Sequence, residues 1–319
     1  MPRSTPSRLR AAVALAPLIA AAGALALAGC AREAPPSDQD SAAEAAYRAE
    51  IEGWQQERVE GLTRPEGWLT LVGLYWLSEG ELSLGSDPMS DVVLPAEAPG
   101  RVGTLTRRGG GVELALTAGV GATVAGEAAG RNVDLLPAGA AAPTIELGSL
   151  QFHAIERGDW VGLRVRDLDS PALDRFAGLD FFPVDPAWRL DARFEPYDPP
   201  KEILLDDVTG NRQPTEVEGA LVFEIDGHEH RLDAFDGGDE ELFLVFADQT
   251  SGKETYGAGR YLDVPRPDDA GHLPLDFNRA YNPPCAYTPY ATCPLPPKQN
   301  RLAARVEAGE KAYHGEGEH

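Results

Sequence analysis

Ala220-Leu221-Val222-Phe223-Glu224-Ile225, then Asp226-Gly227, then His228 to Ala234, reads as two β-strands joined by a two-residue turn. Such a turn needs positive φ at both central positions, which Gly adopts without cost and Asp tolerates, so the Asp-Gly pair fixes a hairpin register. Working outward, Glu241 to Phe246 is a short apolar run with the length of a buried strand, and Arg260 to Val264 is another. Toward the N-terminus, Trp68 to Trp76, Gly80 to Leu84, Val92 to Leu94, Val102 to Thr106, Val112 to Thr117 and Ala122 to Ala125 are strand candidates separated by Gly, Pro or Asp. Leu150 to Glu156 and Trp160 to Arg166 flank Arg157-Gly158-Asp159 as a second hairpin. Residues 118–143, rich in Ala and Gly, predict loops around a weak strand. Asp167 to Pro200, dense in Pro, Asp and aromatics, predicts a connector, with Phe194 to Leu205 re-entering the sheet. This spacing of short strands predicts a mainly β fold, sandwich-like or barrel-like, with two lobes at 66–166 and 190–302.

One helix precedes the strands. Ser41-Ala42-Ala43-Glu44 has the form of a capping box, Tyr47, Ile51 and Trp54 recur at helical spacing, and Gly61 can end the element, which predicts a helix over 41–61. Its aromatics are expected to pack on the β-rich body, which as a whole spans 41–311. Residues 312–319 form a Gly/Glu tail expected to be disordered.

Ahead of the helix the chain has the layout of an export signal. Arg3, Arg8 and Arg10 precede an apolar run from Ala11 to Ala28, which ends in Leu27-Ala28-Gly29-Cys30. That ending resembles the bacterial lipobox, so residues 1–29 are expected to be removed and Cys30 to carry a diacylglycerol, with 30–40 as a polar tether. The lipid makes the membrane a partner and predicts no transmembrane helix in the mature chain. The expected location is the cell envelope. Ala31 in place of Asp after the cysteine points to the outer membrane, facing the periplasm, in a Gram-negative cell.

The net charge of −23 disfavours nucleic acid and anionic lipid surfaces, and an apolar fraction of 43% suffices for a core. Of three cysteines, Cys30 goes to lipid, which leaves Cys285 and Cys293 in a Pro-rich loop. In an oxidising compartment a disulfide between them is the natural expectation, with a buried reduced pair as the alternative. No metal is expected. His228 and His230 share a strand face but lack a third ligand at a defined spacing. No cofactor-binding or nucleophile-elbow motif is present.

Chemistry-bearing residues concentrate in 246–301. Asp248, Thr250, Ser251, Tyr256, Arg260, Asp276, Asn278, Arg279, Tyr281, Asn282 and Arg301 alternate there with aromatics and prolines, and Gly257 and Gly259 permit close backbone approach. Three arginines in so acidic a chain suit a small polar or anionic ligand. Two other readings stay open. One is a hydrolase using Asp248, Ser251, Tyr256, Asp276 and Arg279. The other is a scaffold in which Asp–Arg pairs and Asn side chains satisfy a long irregular loop.

The segment also resembles a known family. Phe-x-Asp-x-Thr-Ser-Gly-x-Glu-Thr-Tyr-Gly-x-Gly-Arg at 246–260, Asp-Phe-Asn-Arg-Ala-Tyr-Asn-Pro at 276–283 and Cys-Pro-Leu-Pro-Pro-x-x-Asn-Arg-Leu at 293–302 are similar to the signature of DUF1684, a family of unknown function. The likeness is expected to run from about residue 45 to 311, Gly67 to Leu74 included. It implies no particular activity.

Overall fold

In the computed structural model the described residues are 38–315. The expected signal segment 1–29, Cys30 and the expected tether up to residue 37 lie outside them, as do residues 316–319. Helix α1 spans Asp38–Thr63, three residues earlier and two later than the sequence predicts, so Ser41 falls inside its first turns rather than at its cap. Tyr47, Ile51 and Leu62 are buried, consistent with one face packed on the body. No helix among the described residues is long and apolar enough to cross a membrane.

The first half of the body is a sandwich. Its strands are β1 (Leu71–Trp76), β2 (Gly80–Gly85), β3 (Val92–Val93), β4 (Gly103–Arg108), β5 (Gly111–Leu116), β6 (Thr123–Val124), β7 (Glu127–Ala128), β8 (Asn132–Asp134), β9 (Ile145–Leu147), β10 (Leu150–Arg157) and β11 (Trp160–Asp167). They form one sheet in the order β1-β11-β10-β9-β6-β7 and another in the order β3-β2-β4-β5-β8. Leu84, Leu105 and Leu114 from the second meet Phe152, Leu163 and Val165 from the first in a common core. The β10–β11 hairpin pairs Arg157 with Trp160 across Gly158, which takes φ 56°, as the sequence predicts.

After a short helix α2 (Pro171–Arg175), the second half follows: β12 (Arg189–Asp206), β13 (Arg212–Ile225), β14 (His228–Asp236), β15 (Glu241–Phe246), β16 (Arg260–Pro265) and β17 (His272–Asp276). Their order is β16-β15-β14-β13-β12-β17, and the end strands β16 and β17 come together, so the sheet is a nearly closed barrel. Its interior holds Leu221, Phe223, Leu244, Phe246, Leu262, Leu275 and Phe277. The Asp-Gly turn behaves as predicted, with Asp226 at φ 52° and Gly227 at φ 74°. The two cores lie within one compact unit from Ala42 on.

Several elements differ from the sequence reading, among them α2, β8, β9 and the early start of β13 at Arg212, and two bear on the barrel. β12 begins at Arg189, inside the stretch read as a connector. Its pairing with β13 is interrupted between Pro196 and Lys201, because prolines without N–H groups cannot continue the ladder and the strand bulges there. β17 was not foreseen as a strand. It pairs with β12 from Arg189↔Asp276 to Arg193↔His272. The tail is also anchored further than expected: Ala312 N–H donates to Glu254 O (2.9 Å), and the Tyr313 ring packs on Tyr287 at 5.1 Å.

Candidate functional site

The eleven candidate residues do not converge on one point. Arg260, at the start of β16, is fully buried and forms an ion pair with Asp248 (2.8 Å). It also donates to Val306 O (2.9 Å) and to Ala308 O, and it lies over the Phe246 ring at 5.3 Å. Of its nitrogens, Nε has no partner. Burial pulls this guanidinium below its ordinary pKa, and Asp248 opposes that pull. Asp248 is further committed to its own loop: Thr250 N–H donates to its Oδ1 (2.6 Å), and Asp248 N–H donates to Ser251 Oγ (3.1 Å). The Thr250 and Thr255 hydroxyls are bonded to each other (2.8 Å), and Tyr256 OH donates to Cys285 O (3.0 Å). Asp248, Thr250 and Arg260 are therefore framework, closed to any ligand.

A second group joins α1 to the barrel. Asp276 caps the turn Phe277–Arg279 by accepting Asn278 N–H (3.0 Å), and both its oxygens accept Tyr47 OH (2.9 Å each). Asn278, also buried, donates to Tyr47 Oη (2.9 Å) and Asp185 O (2.9 Å) and accepts Asp185 N–H (3.1 Å). Burial, with Asp276 beside it, raises the Tyr47 pKa. Arg279 reaches out to Glu50 of α1. Arg301 lies apart, exposed, in a hollow with Lys201, Leu204 and Lys298.

Two hollows remain along α1, and they share Asp263. One, of about 420 Å³, is bordered by Glu50, Arg189, Asp276 and Arg279. The other, of about 380 Å³, is walled by Trp54 and Arg58 of α1, Trp68, Tyr261, Tyr281 and Asn282. Tyr281 OH donates to Asp263 (2.8 Å), and Arg58 lies over the Tyr281 ring at 4.5 Å. Arg58 is already matched by Glu310 (2.9 Å). That fully buried carboxylate also accepts Asn282 N–H (2.7 Å) and Tyr287 OH (2.8 Å). Asn282 donates to Lys311 O (2.7 Å), while its Oδ1 is buried without a partner. Of the sequence-predicted residues, Tyr281 and Asn282 thus enter the aromatic cleft and Asp276 and Arg279 border its neighbour.

Sequence reasoning missed Arg58, Trp68, Asp263 and Glu310, and it assigned Trp54 to packing alone. The alternation of Tyr261 and Asp263 on β16 was a usable signal. Nothing local marks Glu310, whose partners lie 23, 28 and 252 residues away along the chain.

Cys285 and Cys293 are both buried thiols here, not a disulfide, with Cys285 N–H donating to Cys293 Sγ (3.1 Å). His230 stacks on Phe223 at 6.0 Å. No group of three or more His, Cys, Asp or Glu among the described residues could hold a metal ion.

The profile of the family described as "Protein of unknown function (DUF1684)" matches residues 174–311. The solution NMR structure of an uncharacterized protein from Haloarcula marismortui is 35% identical to this chain, covering 43% of it and 78% of the archaeal chain, with a TM-score of 0.37. Residues 174–311 belong to the DUF1684 family. The matched DUF1684 region takes in the barrel, the framework pair Asp248–Arg260 and the barrel-side walls of both hollows. It begins well after residue 45, so Gly67 to Leu74 and the sandwich lie outside it. No curated protein matches the chain.

Proposed function

We propose that this DUF1684 protein is a lipid-anchored protein of the cell envelope that holds a small polar ligand in the aromatic cleft between α1 and the barrel. The observation that carries the ligand reading is the composition of that cleft. Trp54, Trp68, Tyr261 and Tyr281 offer flat apolar surface, while the Asp263 carboxylate offers an acceptor. Ligand sites combine an apolar lining with a few fixed polar groups in this way, and about 380 Å³ is within the usual range of roughly 300–1,000 Å³. Arg58 is neutralised by Glu310, and Arg260 is out of reach, so the cleft suits a molecule presenting hydroxyl or amine donors better than an anion. Native mass spectrometry of protein purified from its own host tests this. A co-purifying small molecule lost in Trp54→Ala and Asp263→Asn is the expected result. A wild-type spectrum with no bound mass would overturn it.

The anchor reading rests on Leu27-Ala28-Gly29-Cys30 and the apolar run before it. Cys30→Ser should move the protein from the membrane fraction to the soluble one and abolish incorporation of labelled fatty acid. Unchanged fractionation, with no label in wild type, would refute it. In that envelope compartment the adjacent thiols Cys285 and Cys293 are a pair suited to oxidation, which intact mass before and after reduction reads directly.

A further inference from the structure

The outer face of the β10–β11 hairpin carries four basic side chains. Arg164 stands opposite His153 in register, Arg166 is two residues along the same strand, and Arg157 is four residues along from His153, so alternation puts all four on one face. They are close enough that Arg164, Arg166 and Arg157 act electrostatically on His153. The neighbouring chain covers this face. Arg157 Nε donates to Thr292 Oγ1 (3.1 Å), Arg166 donates to Thr70 Oγ1 (3.0 Å), and both Arg164 and Arg166 lie 5.7 Å from the Trp68 ring centroid.

Arg164 is the anomaly. It is only 7% exposed, its Nε is buried without a hydrogen-bond partner, and its guanidinium forms no ion pair among the described residues. The other deeply placed arginines behave differently: Arg260 has Asp248 and Arg58 has Glu310. A buried guanidinium without a counter-charge is costly, and surrounding it with further cations raises the cost. The chain has 51 acidic residues, yet no carboxylate pairs with His153, Arg157, Arg164 or Arg166 among the described residues. Exposed Glu66 acts on Arg166 only through space. The Cys293 thiol lies near Arg164, but Cys285 and burial hold it protonated, so it brings no charge.

We propose that His153, Arg157, Arg164 and Arg166 form a binding site for a phosphate-type oxyanion, free or carried on a small ester, which supplies the missing counter-charge of Arg164. Guanidinium forks match the oxygens of such a group bidentately, and three fixed positive charges suit a dianion. The site adjoins the aromatic cleft through Trp68 but uses none of the acceptors there.

The test is calorimetric titration of the full-length protein with inorganic phosphate and, in a second arm, glycerol phosphate, against chloride at matched ionic strength. Binding of inorganic phosphate indicates the free ion; preference for the ester indicates a carried group. Arg164→Met should abolish saturable binding, and Arg157→Gln, at a half-buried position, should weaken it at least tenfold. In wild type, NMR titration of the His153 imidazole should show its pKa rising when phosphate is bound, a readout that does not depend on any variant folding. No saturable heat in either arm, with an unmoved His153, overturns the proposal. So does undiminished binding in Arg164→Met.

Discussion

Arg260→Leu separates framework from ligand site most sharply. The substitution removes the ion pair to Asp248 and the donors to Val306 O and Ala308 O, and it leaves a carboxylate in a place with no access to solvent. Deleting one partner of a buried ion pair costs about 3–5 kcal/mol, because the remaining charge keeps its desolvation penalty without its compensation. The stranded carbonyls add to this, and Asp248 recovers part of it through the N–H groups of Thr250 and Val306 (2.6 and 3.4 Å). A net loss of about 4 kcal/mol is expected, which for a chain of this size lowers Tm by roughly 8–16 °C. Urea unfolding followed by tryptophan fluorescence measures the first quantity and calorimetry the second. Asp248→Asn should be milder, since the amide keeps one acceptor oxygen. The double variant should fall short of the sum of the singles by at least about 1 kcal/mol, as residues in one network do. A loss below about 1 kcal/mol in Arg260→Leu, or additive singles, would refute the framework assignment.

Gly259→Ala should be severely destabilising, because Gly259 has φ +94° and an added Cβ would sit 2.5 Å from Phe246 O and from Pro296. Gly257→Ala, with its nearest neighbour at 3.7 Å, should unfold close to wild type, and equal denaturation midpoints for the two would contradict the geometry. Tyr47→Phe removes the hydroxyl shared by Asp276 and Asn278 and should cost about 1–2 kcal/mol in urea unfolding; no change would show that α1 is not held there. Acid should weaken the fold through His153. Burial, reinforced by Arg164, Arg166 and Arg157, holds its pKa at about 4 against an ordinary 6.5. The unfolded chain therefore takes up a proton that the folded chain refuses. This contribution is full above pH 6.5 and drains as pH falls toward 4. His153→Gln should flatten that limb of the stability–pH curve, and an unchanged slope would refute the assignment.

How far the sequence could be read follows from the range of the interactions involved. The Asp226-Gly227 hairpin and strands β15 and β16 were legible because turn chemistry and alternation act between near neighbours. The start of β12 was hidden by its prolines, and β17 is held in place by β12, some 80 residues earlier, which no window of sequence reveals. The candidate site follows the same logic. Polar residues over 246–301 stand out in the sequence as groups that must be paired or used, but composition cannot say which. Pairing is decided by distant chain: Val306 and Ala308 for Arg260, Tyr47 for Asp276, Glu310 for Asn282. The scaffold reading describes Asp248, Thr250 and Arg260, and the proposed ligand would lie against other residues of the same region. Arg260 ties down the returning segment 306–310, that segment delivers Glu310, and Glu310 fixes the Asn282 backbone and Arg58 together. Tyr281 and Asn282 thereby face Arg58 and Trp54 across the aromatic cleft. The buried polar network in the DUF1684 signature is what gives the cleft its shape, so under the proposed function loss of Arg260 should disable ligand retention as well as stability, although Arg260 does not line the cleft.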